Sequence, residues 1–154
     1  MRRFGEAVDP RQTYGERPGA YAVIRDGSDV LVTEQSEPRR EFQLPGGGID
    51  PGEGALHALH RECLEETGWR IRVLCRLGAF QRFAYMPEYD RWARKVCHVY
   101  LARPVMRHGE PSEPGHRAIW MPIPTALGLL ALAGDRHFLA AATRTAPGAG
   151  RQAV

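Results

Sequence analysis

Long apolar runs are absent from this 154-residue chain. The longest, 126–133, is short and interrupted by Gly128, far below the roughly 20 apolar residues of a membrane-spanning helix. The basic N-terminus lacks the apolar core of a secretory signal, so a cytoplasmic protein that does not enter membranes is expected. Lysine is nearly missing: Lys95 is the single one, and every other basic residue is arginine. Neither charge sign dominates, since 21 basic and 18 acidic residues leave a net charge of +3. That excess is too weak to indicate a nucleic-acid binder, and no DNA partner is expected. The three cysteines, Cys63, Cys75 and Cys97, form no CxxC pair, which argues against a zinc ribbon or a disulfide framework and for reduced, mostly buried thiols. Internal repeats are also absent.

What remains is an ordinary globular balance, 43% hydrophobic and 25% charged, in a chain of one-domain length. Residues 1–17 read as a flexible arm, 18–145 as a single domain and 146–154 as a flexible tail. The stretches 20–25 and 30–33 are strand-like and flank a turn at 26–29, the pattern of a hairpin. Pro45 and three glycines then signal a loop, followed by a helical stretch over 54–67 that ends at Gly68, where a helix C′ position favours glycine. Further strands are expected at 70–77, 78–85, 95–103 and 118–121. Two short helices follow, one capped by Thr125 and running to Leu132, the other capped by Asp135 and covering 137–143. Strands on both sides of one long helix, with helices at the end, predict a mixed α/β sandwich.

The helix after the glycines carries the chemistry. Glu62, Glu65 and Glu66 stand at i, i+3 and i+4 and share one face. Three neighbouring carboxylates repel one another, and a hard divalent cation with oxygen ligands removes that repulsion. Ala55 and Ala58 lie on the same side, leaving room for backbone or ligand. Leu56, Leu59, Cys63 and Thr67 form a separate stripe suited to packing on a sheet. A glycine-rich loop running into a helix also offers backbone N–H groups to phosphate.

Gly47, five residues, Glu53, seven residues, then Arg61-Glu62-Cys63-Leu64-Glu65-Glu66-Thr67-Gly68-Trp69 resembles the complete signature of the Nudix hydrolases, over 23 residues. Cys63 and Trp69 depart mildly from the aliphatic residues usual there, and both are apolar enough to pack. The resemblance implies an α/β/α sandwich with a mixed central sheet. It implies hydrolysis of a nucleoside diphosphate linked to another group, with Mg²⁺ or Mn²⁺ neutralising charge. Carried over by position, Glu62, Glu65 and Glu66 ligate the metal with the carbonyl of Gly47, while Arg61 and Glu53 pair and brace the loop against the helix. The general base falls to the glutamate trio, with Glu110 and Glu113 as distal candidates.

Around this segment, Arg39 and Arg40 precede the glycine loop within reach of a substrate phosphate, and Tyr85 is a base-stacking candidate. Tyr85 lies 16 positions after Trp69, a spacing similar to that of diadenosine-polyphosphate hydrolases; Pro87 lies near the proline of ADP-ribose pyrophosphatases. His57 and His60 point away from the glutamates and are assigned no ligand role. The partner is expected to be a nucleotide-type small molecule. An RNA 5′-end substrate, a non-catalytic nucleotide sensor and a homodimer stay open.

Overall fold

The computed structural model describes residues 1–144. In chain order its elements are β1 (Arg2–Arg3), β2 (Gly15–Asp26), β3 (Asp29–Gln35), β4 (Glu41–Gln43), β5 (Gly46–Gly48), α1 (Ala55–Thr67), β6 (Trp69–Met86), β7 (Arg91–Arg107), β8 (His116–Pro122), α2 (Ile123–Leu129) and α3 (Ala133–Arg144). One turn of 3-10 helix, Pro87–Tyr89, joins β6 to β7.

Strand β2 organises the rest because both of its faces are apolar. Ala20, Ala22 and Ile24 turn to one side and Tyr21 and Val23 to the other. It runs parallel to β7, pairs antiparallel with β5, and at its end turns into β3 through the hairpin expected at 26–29. The sheet is therefore mixed, in the order β1-β6-β7-β2-β3-β4, with β5 on β2 and β8 on β3. α1 covers one face through Ala58, Leu59 and Cys63, packed with Ile24, Leu31, Ile71 and Tyr100. α2 and α3 cover the other through Ala126, Phe138, Leu139 and Ala142 against Val23, Val32, Phe80 and Val99. This is the three-layer α/β/α sandwich with a mixed central sheet. No helix among the described residues is long and apolar enough to cross a membrane.

Several local expectations need correction. Residues 1–17 are tied to the sheet: β1 pairs with β6, Phe4 donates its N–H to the Gln81 carbonyl, and its ring meets Phe80 edge-on at 5.6 Å. The two strands expected at 70–77 and 78–85 are one strand, β6, whose register against β7 slips at bulges around Ile71, Leu74 and Leu77. α2 starts at Ile123, so Thr125 does not cap it. α3 starts at Ala133, so Asp135 lies inside its first turn. Leu56 is exposed, and Ala58 takes the inward position assigned to it. The expected tail, 146–154, lies outside the described residues.

Candidate active site

α1 begins at Ala55 without a side-chain cap and ends at Gly68, whose φ of 75° is the left-handed conformation that glycine adopts without strain. The Gly68 N–H closes the helix on the Leu64 carbonyl at 2.9 Å. Glu53, just ahead of the helix, meets Arg61 two turns along. Arg61 Nε donates to Glu53 Oε2 at 2.8 Å and Nη2 to Oε1 at 2.9 Å, a two-pronged pair. Nη2 also donates to the Gly48 carbonyl at 3.1 Å, so one guanidinium ties the loop, the glycine strand and the helix together. Arg61 foremost, then the Asp50 N–H, hold the Glu53 carboxyl well below the usual carboxylate range. His57 adds a 2.8 Å contact to Glu53 Oε2.

The three glutamates of α1 differ in their surroundings. Glu66 is 8% exposed, and among the described residues no cationic side chain lies within ion-pair distance of it. Burial, then the charge of Glu62, push its carboxyl well above the usual range, opposed by a hydrogen bond from the Gly46 N–H. Glu62 is also raised, chiefly by burial, although Arg61 Nη1 donates to it at 3.0 Å. Glu65 stands at the rim, 3.4 Å from the same nitrogen. As they stand, no three His, Cys, Asp or Glu side chains among the described residues converge as metal ligands. The physical reason is visible in Arg61, which draws Glu62 and Glu65 onto its guanidinium.

The glycine strand explains why these carboxylates come so close to backbone. A Cβ on Gly47 would stand 2.5 Å from the carboxyl carbon of Glu62, so only glycine leaves that carboxylate its place. The Gly47 carbonyl itself is turned elsewhere. Ala22 N–H donates to Pro45 O and Ile49 N–H to Pro18 O, both at 2.9 Å, and the alternation of an antiparallel ladder makes Ala20 and Gly47 the hydrogen-bonded pair between them. The same alternation turns Gly46 toward α1, where its N–H meets Glu66. The Gly47 carbonyl, expected beside a metal, is thus directed into the sheet at Ala20, and it is the Gly46 N–H that faces the α1 carboxylates. Buried oxygen donors, one without a cation, are a donor set suited to a hard divalent ion.

A family model described as "NUDIX domain" matches residues 15–142. The chain belongs to the Nudix family. An RNA pyrophosphohydrolase of Helicobacter pylori is 42% identical over 82 residues, which cover 49% of this chain and 45% of that protein. The RNA pyrophosphohydrolase of Pectobacterium carotovorum is 34% identical over 87 residues, covering 54% and 49%. These matches therefore span about half the length of the curated relatives. Among solved structures, a NUDIX hydrolase from Nitrosomonas europaea superposes with a TM-score of 0.68 at 20% identity, covering 82% of this chain and 87% of the other. A MutT protein from Methanosarcina mazei gives 0.66 at 22% identity, covering 85% and 95%. At such identities the likeness is one of fold.

On the sheet face opposite α1 lie two adjoining cavities. A smaller one of about 200 Å³ runs along Gly47, Gly48 and Arg17. A larger one of about 510 Å³ is lined by Arg39, Gln43, Arg82, Tyr85 and Asp135. Of the substrate-side expectations, Arg39 and Tyr85 line this cavity; Arg39 also pairs with Glu41 at 2.8 Å, and the Tyr85 hydroxyl donates to Asp90. Arg40 does not reach it. Its Nε is held by Glu34 Oε1 at 2.6 Å and its guanidinium lies over Phe42, a correction with an ion pair as its cause. The distal candidates also separate. Glu113 donates its N–H to the Glu65 carbonyl at 2.9 Å and its charge raises Glu62 and Glu66, whereas Glu110 is drawn off by Arg107 at 2.6 Å.

Sequence reasoning missed Asp135, Arg82 and Arg17, and weighed Lys95 only with Arg91 and Arg94, as part of a basic groove for an RNA 5′ end. Asp135 is 2% exposed; its Oδ2 accepts the Leu44 N–H at 3.0 Å, anchoring α3 to the residue just before Pro45 and the glycines. Burial pushes its carboxyl up to about 6. Its sequence signal, an Asp near a helix start, is the same as that of a cap. Lys95 did carry a signal: it is the single lysine among twenty arginines.

Proposed function

We propose that this chain hydrolyses a pyrophosphate bond in a nucleoside diphosphate linked to a further group, and that Glu62, Glu65 and Glu66 hold Mg²⁺ or Mn²⁺. The observation that carries the reading is Glu66, a buried carboxylate without a cation, set beside two further carboxylates and a glycine strand. Buried charge without a partner is unfavourable unless a cation completes the site. A bound divalent ion supplies charge neutralisation on phosphoryl oxygens and activation of water.

The chain's own residues do the rest. Arg61, clamped by Glu53, keeps Gly48 and the helix in fixed relation and holds Glu62 and Glu65 beside Glu66, where the three would ligate the ion. Gly47 gives the Glu62 carboxylate room at the strand. Gly46 orients Glu66 through its N–H. Glu113, whose backbone is joined to the C-terminal turn of α1, is the distal candidate for taking a proton from the attacking water. Arg39 and Tyr85 line the cavity that takes the remainder of the nucleotide, Tyr85 offering a ring on which a base stacks.

A second reading narrows the substrate to RNA 5′ ends. It is favoured by relatives named RNA pyrophosphohydrolase, two of them at 42% and 34% identity over roughly half of each protein. Phosphate release is the test, with Mg²⁺ and then Mn²⁺, from ADP-ribose, diadenosine polyphosphates, nucleoside triphosphates, nucleotide sugars and 5′-triphosphorylated RNA. Metal-dependent release from at least one supports hydrolysis, and release confined to the RNA supports the narrower reading. Nucleotide binding with no release from any of them would replace the enzyme by a sensor.

A further inference from the structure

Three cations lie side by side across the sheet. In the registers of β2, β7 and β6, Arg17 is paired with Lys95 and Lys95 with Arg82, so the three side chains share one face of three adjacent strands. Neighbouring strands are about 4.8 Å apart, and like charges directly opposite each other destabilise a sheet. No carboxylate among the described residues lies within ion-pair distance of any of the three. Glu88 lines both cavities but stays beyond that distance, and among the described residues the aromatic partner is Tyr89, 5.4 Å from the Arg17 guanidinium. Burial first, then Arg82 and Arg17, weaken the proton affinity of Lys95. The free protein thus carries a repulsive row with a half-buried ammonium at its centre.

The row coincides with the seam between the two cavities. Arg17 lines the smaller, Arg82 the larger, and Lys95 both. It also starts beside the glycine strand: a Cβ on Gly48 would stand 3.6 Å from Arg17 Nη2, next in sequence to the Gly47 that abuts Glu62. A carboxylate suited to a metal ion and an unpaired cation therefore flank β5 from its two faces, at adjacent residues. Repulsion in the free protein becomes attraction once an anion with several charges lies along the row. At the centre, a compact ammonium presents three donors where a planar fork presents a fixed direction, which suits phosphoryl oxygens approached from above the sheet.

We propose that Arg17, Lys95 and Arg82 form a phosphate-binding row that takes a third phosphoryl group of the substrate, beyond the two joined by the scissile bond. The proposal rests on the pyrophosphate reading of the site. A third phosphoryl group has two sources, a longer 5′-polyphosphate chain or the 3′-phosphodiester of a following nucleotide, and both present the same anionic oxygens.

Calorimetric titration in metal-free buffer tests the row without turnover. For the polyphosphate source, inorganic tripolyphosphate binds at least about tenfold more tightly than pyrophosphate, and Lys95→Met or Arg82→Gln each removes about tenfold of that affinity. For the phosphodiester source, a 5′-diphosphorylated dinucleotide gains the same factor over a nucleoside diphosphate, tripolyphosphate gains nothing, and the same variants erase the gain. In either case both variants raise the Tm of the free protein, because each relieves repulsion. A third phosphoryl group that adds no affinity to the wild type, or variants that leave its contribution intact, would overturn the row. Wild-type protein that binds the third group yet releases no phosphate from any nucleotide would overturn hydrolysis alone.

Discussion

Replacing Asp135 by Asn probes the packing of α3 against the start of the glycine strand. The buried carboxylate accepts the Leu44 N–H, and its protonation midpoint is lifted from 3.8 to about 6 by burial. For an acid raised in this way, the folded protein binds the proton more tightly than the unfolded chain. Stability is therefore fullest below the unfolded value and falls as pH rises through the folded one. A separation of about two pH units corresponds to about 3 kcal/mol between the two extremes, of which roughly half falls between pH 5 and pH 7.5. Asn has the same shape, offers a carbonyl oxygen to Leu44 and does not titrate. Urea unfolding of both proteins at pH 5 and pH 7.5 reads the effect: Asp135→Asn gains on the wild type by about 1–2 kcal/mol as the pH is raised. A difference between the two proteins that is the same at both pH values, or that moves the other way, would refute the reasoning.

Two glycines give sharper steric tests. Gly47→Ala inserts a Cβ 2.5 Å from the Glu62 carboxyl carbon. Displacing that carboxylate by about 1 Å is expected to lower kcat/KM about 100-fold, with the Tm of the variant reporting that the fold survives. Gly134→Ala drives a Cβ to 2.4 Å from the Phe80 ring, which is fixed between the sheet and Phe138. It should destabilise by about 1–3 kcal/mol in urea unfolding, and it should raise KM as well, because the displaced Phe80 ring lines the larger cavity.

Much of this organisation was legible in the residues because it is local. The span of α1 follows from its periodicity and from Gly68, and the pairing of Arg61 with Glu53 is what the resemblance to the Nudix signature implies. The β2–β3 hairpin is likewise written in a turn between two apolar runs. What escaped was set by distant chain. Asp135 reads as a cap until Leu44, 91 residues away in sequence, turns it into a buried acceptor. The row of cations exists only because three strands align in one register, and nothing near Lys95 in the chain announces Arg17 or Arg82. Leu74 and Leu77 are invisible as bulges because bulges depend on the partner strand. Arg40 was misjudged because proximity along the chain to the glycine loop says nothing of Glu34, which claims its guanidinium across the β3–β4 edge.

The central claim is that the acid face of α1 is a metal-dependent site for pyrophosphate hydrolysis, and Glu66→Gln tests it most directly. The variant keeps the shape of the side chain and removes a buried carboxyl whose ionisation burial and Glu62 oppose and which has no cation beside it among the described residues, so its Tm should equal or exceed that of the wild type. The measurement is Mg²⁺-dependent phosphate release by both proteins from whichever nucleotide the wild type turns over. The account predicts that kcat falls by about 1,000-fold or more in a protein that is folded throughout. Release by folded Glu66→Gln at the wild-type rate would contradict it.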